Sequence, residues 1–296
     1  MKILLIYNPQ AGHRHAAKIL PAVEEKLVNS NIEFMINRTD YPEHATALVK
    51  HANFEEFDAL VAAGGDGTLF EVINGYYKNK SKKRIPLGII PIGTGNAFAR
   101  DLDLAELGFE EAIDVIAAGR KRKLDVGKFT THGQNYYFLN ILGLGFVADV
   151  TATAGKLKIF GNIAYTLGVI WQTIFLKPHK LELEIDGDLH TLEALFTEIS
   201  NTRYTSNFLM APKAEIDDGL FDITVLQKMG RIRLLKSLPT VFTGKHVDLH
   251  EVETWQARHI KVTTDSPKVL TPDGELIGIT PVEIECLKQD IEVFWK

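Results

Sequence analysis

The first 120 or so residues alternate between short apolar runs of strand length and segments whose apolar residues recur at helical spacing. KILLIY, IEFMIN, DALVAA and IPLGII read as strands. Between and after them, 13–29, 42–52, 69–77, 96–102 and 107–118 read as helices, the first with Ala16, Ala17, Leu20, Val23 and Leu27 on its apolar face. Such alternation confines a chain to a parallel sheet covered by helices on both faces. Ligands of such sheets bind at the carboxyl ends of the strands. Three turns fall there: NPQAG after the first strand, GGDGT after the third and PIGTGN after the fourth.

After GRKRKLDVG (119–127) the character changes. From Tyr136 onward strand-like runs dominate: YYFLNIL, LELEID, LHTLEALFTEIS, LFDITVL, HIKVTT, KVLT, VEIEC and DIEVFW. DGD, DDG and PDG turns separate several of them. This half reads as an antiparallel β domain interrupted by helices near 145–176 and 230–243, with the boundary near Lys123. At 296 residues the chain has room for two ordinary domains. A net charge of -5 gives no global attraction to nucleic acid, so a polyanionic ligand needs a local basic patch. The single cysteine, Cys286, excludes an internal disulfide and suits a reducing compartment. The N-terminal apolar run meets a turn at once and reads as a strand, not a signal peptide. IFGNIAYTLGVIWQTIFL (159–176) approaches spanning length, but Asn162, Gln172 and two glycines argue for a buried or surface-docking helix.

GGDGT places a carboxylate among three glycines at the entrance of a helix. Glycine lets backbone approach a ligand closely, and helix N-termini attract anions. Thr68 and Glu71 have the T-x-x-E spacing of a capping box, so a capped strand-to-helix turn is the plain alternative. A capped turn leaves Asp66 unexplained: beside phosphates a carboxylate is repelled unless a cation such as Mg²⁺ lies between. PIGTGNAFAR is a second Gly-x-Gly turn entering a helix, with Asn96 as a candidate cap and Arg100 one turn on. It lacks the G-K-[ST] ending of a Walker loop.

NPQAG, GGDGTLFEVING and PIGTGNAFAR, in that order, followed by KLDVG (123–127), APKAEIDDGLFDI (211–223) and TPDGE (271–275), resemble the bacterial soluble diacylglycerol kinases and related lipid kinases. That family shares a catalytic domain with sphingosine and ceramide kinases. The resemblance spans nearly the whole chain. It implies an α/β plus all-β protein. Residues 1–122 would form a Rossmann-like α/β nucleotide domain to which the strand 289–296 returns. Residues 123–288 would form a larger antiparallel β-sandwich for the lipid, with the active site between the two. ATP phosphates would lie over Asn8, Pro9 and Gly12 and over Gly64, Gly65, Asp66, Gly67 and Thr68. Thr39, Gly93, Thr94, Gly95, Asn96 and Arg100 complete the expected nucleotide contacts. Magnesium would be held by the Asp218 carboxylate and the carbonyls of Glu215 and Leu220, linked through water to Asp66 and Asp125. Asp273 is the implied general base, with Glu275 close behind. Asp66 is the alternative, since sphingosine kinases place the base there. One departure stands out: relatives often carry a lysine in the first turn, where this chain has His13-Arg14-His15, leaving Arg14 for the cationic role.

The expected activity is ATP- and Mg-dependent phosphorylation of a lipid hydroxyl, foremost that of diacylglycerol to phosphatidic acid in phospholipid biosynthesis. Phosphatidylglycerol or a sphingoid base are alternative acceptors, and an NAD kinase or a non-catalytic regulator alternative functions. The partners expected are the lipid and a transient contact with the inner face of a membrane, through Lys156, Lys158 and 159–176, with no nucleic acid and with a homodimer as a further expectation. The location expected is cytoplasmic.

Overall fold

A computed structural model describes residues 1–104, 108–145, 177–205 and 208–296. The expected helical stretch after 145, with Lys156, Lys158 and 159–176, lies outside them. Among the described residues no helix is long and apolar enough to cross a membrane. The chain divides into two compact units, Met1–Val126 with Lys288–Lys296, and Gly127–Leu287.

In the first unit β1 (Lys2–Tyr7), β2 (Glu33–Arg38), β3 (Ala59–Gly64) and β4 (Leu87–Pro91) form a parallel sheet in the order β2-β1-β3-β4. All six residues of β3 are buried, as a strand covered on both faces requires. The helices are α1 (Ala11–Asn29), α2 (His44–His51), α3 (Asp66–Lys78), α4 (Ala97–Asp101) and α5 (Phe109–Ala118). α1 buries Ala16, Leu20, Val23 and Leu27 against Ile3, Leu5 and Val61, while Ala17 faces solvent. The start of α1 is irregular. Gly12, His13 and Arg14 take left-handed conformations with φ of 59°, 56° and 67°, which side chains beyond glycine adopt at a cost.

The second unit is antiparallel. β5 (Lys121–Thr131) pairs with β6 (Gln134–Phe138). β7 (Ile141–Gly145), β8 (His179–Ile185) and β12 (Phe221–Gln227) each pair with β9 (Asp188–Ser200). β10 (Tyr204–Thr205) and β11 (Phe208–Leu209) form a short hairpin. β13 (Val252–Ala257) pairs with β12, β14 (His259–Thr264) with β8, and β15 (Leu270–Pro272) with β7. β16 (Val282–Phe294) pairs with β14. β8 alternates buried and solvent-facing residues along its length, burying Leu181, Leu183 and Ile185 in a core with Phe138, Ile199 and Phe221. Near 230–243 the chain forms α6 (Arg231–Ser237) and a 3₁₀ turn, Leu238–Phe242.

Two differences from the sequence reading matter for the site. YYFLNIL is two strands, broken at Leu139 and Asn140. VEIEC and DIEVFW are one strand, β16, which continues through Gln289 at φ 50°. Its far end belongs to the first unit, where Val293 pairs parallel with Leu87 of β4.

Candidate active site

Three turns meet at the carboxyl ends of β1, β3 and β4. The Asn8 side chain organises the first: its Oδ1 accepts from Gln10 N at 2.9 Å, and its Nδ2 donates to Thr68 Oγ1 on α3 at 2.9 Å. The N–H groups of Ile92 and Gly93 donate to the Gly64 carbonyl. The glycines are required by contact between the turns. A Cβ on Gly93 would lie 2.3 Å from the Gly65 Cα, and one on Gly12 would lie 2.6 Å from the Ile92 carbonyl oxygen. Thr39, at the end of β2, is buried, and its N–H donates to the Tyr7 carbonyl at 2.9 Å. Pro9 and Arg100 are half-buried, and Thr94 and Gly95 are exposed. Arg14 is also exposed, and its Nε donates to Gln10 Oε1 at 3.1 Å.

The capping box expected of Thr68 and Glu71 is not formed. The N-cap of α3 is Gly65, and no side chain caps it. Thr68 is turned instead to Asn8. Glu71 accepts from the N–H groups of Glu43 and Ala45 at 2.8 and 3.0 Å, so it serves the start of α2. The N-cap of the 13-residue helix α3 thus contributes no side-chain acceptor, and the Asp66 carboxylate accepts from its own N–H at the start of that helix.

Asp66 has a role that spacing did not suggest. Its carboxylate accepts from the backbone N–H groups of Asn96, Ala97 and Phe98 at the start of α4. The loss of water around it raises its pKa above the ordinary carboxylate value, and those N–H donors oppose the rise. A cavity of about 10 Å³, enough for one water molecule, lies among Gly64, Gly65, Asp66, Pro91 and Asn96. Asn96 Nδ2 donates to the Gly93 carbonyl at 2.8 Å, and its buried Oδ1 has no protein partner among the described residues.

Asp125, fully buried on β5, accepts from Gln289 N at 2.6 Å. In the second unit the DDG loop turns at Gly219, φ 86°, with Asp218 Oδ1 accepting from Leu220 N at 2.9 Å. Asp222, just beyond, has its pKa raised by burial first and then by the charges of Asp218 and Glu215. Among the described residues no group of three or more His, Cys, Asp or Glu side chains is gathered to hold a metal. A set of one carboxylate and two carbonyls is nonetheless the hard-oxygen chemistry that magnesium takes.

TPDGE ends β15 in a tight turn. Glu275 N donates to the Pro272 carbonyl at 2.8 Å, and Asp273 and Gly274 have φ of 48° and 89°, the pattern of a type I′ turn. Glu275 is exposed. The Asp273 carboxylate folds back on the break between β6 and β7. Its Oδ2 accepts from Leu139 N at 3.0 Å, and its Oδ1 from Asn140 N and Ile141 N at 2.9 and 3.0 Å.

Asn201 and Thr202, which spacing did not single out, hold the other side of that segment. Asn201 N donates to the Asn140 carbonyl and Asn201 Nδ2 to the Leu139 carbonyl, at 2.9 and 2.8 Å. Thr202 Oγ1 donates to Asn140 Oδ1. Glu198 was likewise missed. It is buried on β9, accepts from Ser200 Oγ and Thr205 Oγ1 at 3.1 and 2.6 Å, and burial pushes its pKa up to about 7. Within the apolar run of β9 it was one polar residue among several, with no motif to mark it.

Residues 2–129 match the family model described as diacylglycerol kinase catalytic domain. Residues 140–295 match that described as YegS C-terminal NAD kinase beta sandwich-like domain. The diacylglycerol kinase of Bacillus subtilis (strain 168) is 33% identical over 292 residues, 98% of this chain and 94% of that protein. The diacylglycerol kinase of Staphylococcus saprophyticus is 34% identical over 293 residues, again 98% of this chain and 94% of that one. A solved structure described as a diacylglycerol kinase from Bacillus anthracis str. Sterne superposes with a TM-score of 0.81 at 27% identity, covering 100% of this chain and 97% of the other.

Proposed function

Because the chain belongs to the diacylglycerol kinase family, we propose that it transfers the γ-phosphoryl of ATP to the free hydroxyl of diacylglycerol, giving phosphatidic acid. The observation that carries this reading is the meeting of three glycine turns at the carboxyl ends of β1, β3 and β4, beside the N-terminus of α3. Free N–H groups at a helix start are a site for phosphate oxygens. The turns are joined by contacts with one another, and a cradle formed in advance lowers the entropy cost of binding.

In this reading Asn8, Pro9, Gly12 and Gly64–Thr68 carry the phosphates, and Thr39, Gly93–Asn96 and Arg100 the rest of the nucleotide. Asp66 spends its charge on the N–H groups of Asn96, Ala97 and Phe98 and so fixes the two turns to each other. Its place at the junction of the two turns supports a role as organiser over one as base. The fully buried Asp125 belongs to the same inner support. Magnesium would be held by Asp218 with the carbonyls of Glu215 and Leu220, and when bound it supplies neutralisation of phosphate charge.

Asp273 takes the hydroxyl proton, as a base whose orientation is fixed by three backbone donors. A positioned base contributes about 10²–10⁴-fold to rate, and orientation and charge stabilisation on the transferring group contribute the rest. Glu275, exposed in the same turn, is the alternative base. The lipid is met by transient contact at the inner face of a membrane, where exposed Ile232 and Phe242, in a stretch holding Arg231, Lys236 and Lys245, offer suitable chemistry. A homodimer is part of the same reading and is checked by sedimentation.

The deciding experiment offers labelled ATP with diacylglycerol, phosphatidylglycerol, sphingosine and NAD in parallel, with and without Mg²⁺. Label is expected in phosphatidic acid only when Mg²⁺ is present. Transfer to NAD alone would end the lipid reading, and Mg²⁺-independent transfer would remove the metal from it.

A further inference from the structure

We propose that Asn201 and Thr202 are positioning residues for Asp273, acting through the segment Leu139–Ile141. The inference rests on the reading of Asp273 as the base. The N–H groups of Leu139, Asn140 and Ile141 all donate to the Asp273 carboxylate. The Ile141 carbonyl accepts from Asp273 N at 2.9 Å. The carbonyls of Leu139 and Asn140 accept from the Asn201 side chain and backbone, and the Asn140 side chain from Thr202. Every backbone polar group of the segment is therefore engaged, on one side by Asp273 and on the other by Asn201 and Thr202.

Such a segment has one arrangement. A strand continuing from β6 into β7 would spend these groups on neighbouring strands, and the apolar run through YYFLNIL favours that outcome. The three N–H groups converge on one carboxylate only because the chain breaks at Leu139 and Asn140. Asn201 and Thr202 hold the broken form. They are 1% and 0% exposed, and Asn140 is 4% exposed, so their hydrogen bonds are made out of water's reach, where orphaning a partner is costly. Asp273 sits at φ 48°, a conformation that persists when its surroundings over-determine it. The segment supplies that constraint, and Asn201 and Thr202 supply the constraint on the segment. A carboxylate displaced by about 1 Å loses about 10²-fold in rate.

The test is a kinetic cycle on the full chain with ATP and a short-chain diacylglycerol in mixed micelles. Each variant is assayed well below its own melting temperature. Thr202→Val keeps the shape and removes the hydroxyl. It is expected to lower kcat about 10-fold or more while the KM values for ATP and lipid stay within about twofold, and Thr202→Ser is expected to keep kcat near the parent value. Asn201→Ser serves as the second variant, read in the same way, if Thr202→Val does not fold. Combined with Asp273→Asn, either change should cause no further fall, because residues acting as one unit are non-additive. Full kcat in the Thr202 and Asn201 variants, or falls that add to that of Asp273→Asn, would overturn the positioning role and leave the base intact. Parent-level turnover in Asp273→Asn would instead remove the base, and the proposal with it.

Discussion

Glu198 is a carboxylate buried on β9, 1% exposed, and its protonation is coupled to folding. Burial raises its pKa from 4.5 to about 7, against the pull of hydrogen bonds from Thr205 and Ser200. The folded state therefore binds a proton more tightly than the unfolded state. The associated stability is full below pH 4.5, declines as pH rises through about 7, and is gone above it. The span corresponds to about 3 kcal/mol. Both hydroxyls donate to the same atom, Oε1, which a glutamine also has. Glu198→Gln should therefore match the parent protein in thermal unfolding near pH 4.5 and exceed it near pH 8; equal melting temperatures at both pH values would show that Glu198 titrates normally. Asp273 poses a different case. An asparagine offers one oxygen, but both Asp273 oxygens are used by N–H groups. Whichever way the amide turns, an N–H meets an NH₂. Asp273→Asn should lower kcat about 10²–10⁴-fold and also destabilise the fold by about 1–3 kcal/mol, with ATP affinity within a few-fold of the parent, as read by turnover, calorimetry and melting of one preparation. Resemblance to a family pointed to Asp273 but not to its contacts, since Leu139 is 134 positions away; the Glu198 partners, Ser200 and Thr205, are near in sequence but form no motif.

At the scale of elements, the glycine turns show what spacing can carry and what it cannot. Alternation of continuous apolar runs with period-3.6 patterns placed β1, β3 and β4 and the turns that follow them, because such runs are written by burial on both faces of a covered parallel sheet. The reason for the glycines was less legible. Close approach to a phosphate and close approach to another turn demand the same residue, and Gly65 and Gly93 demonstrably meet each other. The capping box failed for a related reason. Thr68 and Glu71 have the correct spacing, but Asn8 and the start of α2 supply competing partners. The turn contact is open to test. Gly93→Ala brings a Cβ to 2.3 Å from the Gly65 Cα, forces the two turns apart, and should weaken ATP binding at least 10-fold at a stability cost of about 1–3 kcal/mol. Gly119, which ends α5 at φ 72° with nothing within 4 Å of an added Cβ, is the control. Gly119→Ala should cost about 1 kcal/mol from backbone strain alone and leave ATP binding unchanged by calorimetry. Equal ATP affinities in the two variants would argue that the phosphate turns tolerate separation.

At the scale of the whole chain, the first unit is made from two distant pieces of sequence, and the second piece is short. Residues 288–296 contribute Ile291, Val293 and Phe294, exposed by 1%, 0% and 2%. Burying three such side chains is worth about 6 kcal/mol at roughly 2 kcal/mol each, which is comparable to the whole stability of an ordinary domain. Polar contacts add to this. Tyr77 donates to Asp290 at 2.7 Å, Trp295 N donates to the Arg120 carbonyl at 2.9 Å, and the Arg122 guanidinium lies 4.6 Å from the Trp295 ring. Gln289 N donates to Asp125, a carboxylate with no exposure of its own, so loss of the segment strips a donor from a buried charge. Hydropathy alone marks DIEVFW as a strand and says nothing of which sheet it joins; resemblance to a family suggested the first domain, and the pairing of Val293 with Leu87 depends on a partner some 200 residues earlier. Residues 1–126 expressed alone should therefore lack a cooperative thermal transition and expose apolar surface to a dye. The same residues joined through a short Gly-Ser linker to 288–296 should recover a cooperative transition, because the linker restores the missing strand without the 161 residues between. A sharp transition in 1–126 alone would mean that the parallel sheet closes without its terminal strand, and the stabilisation assigned to Ile291, Val293 and Phe294 would have to come from elsewhere.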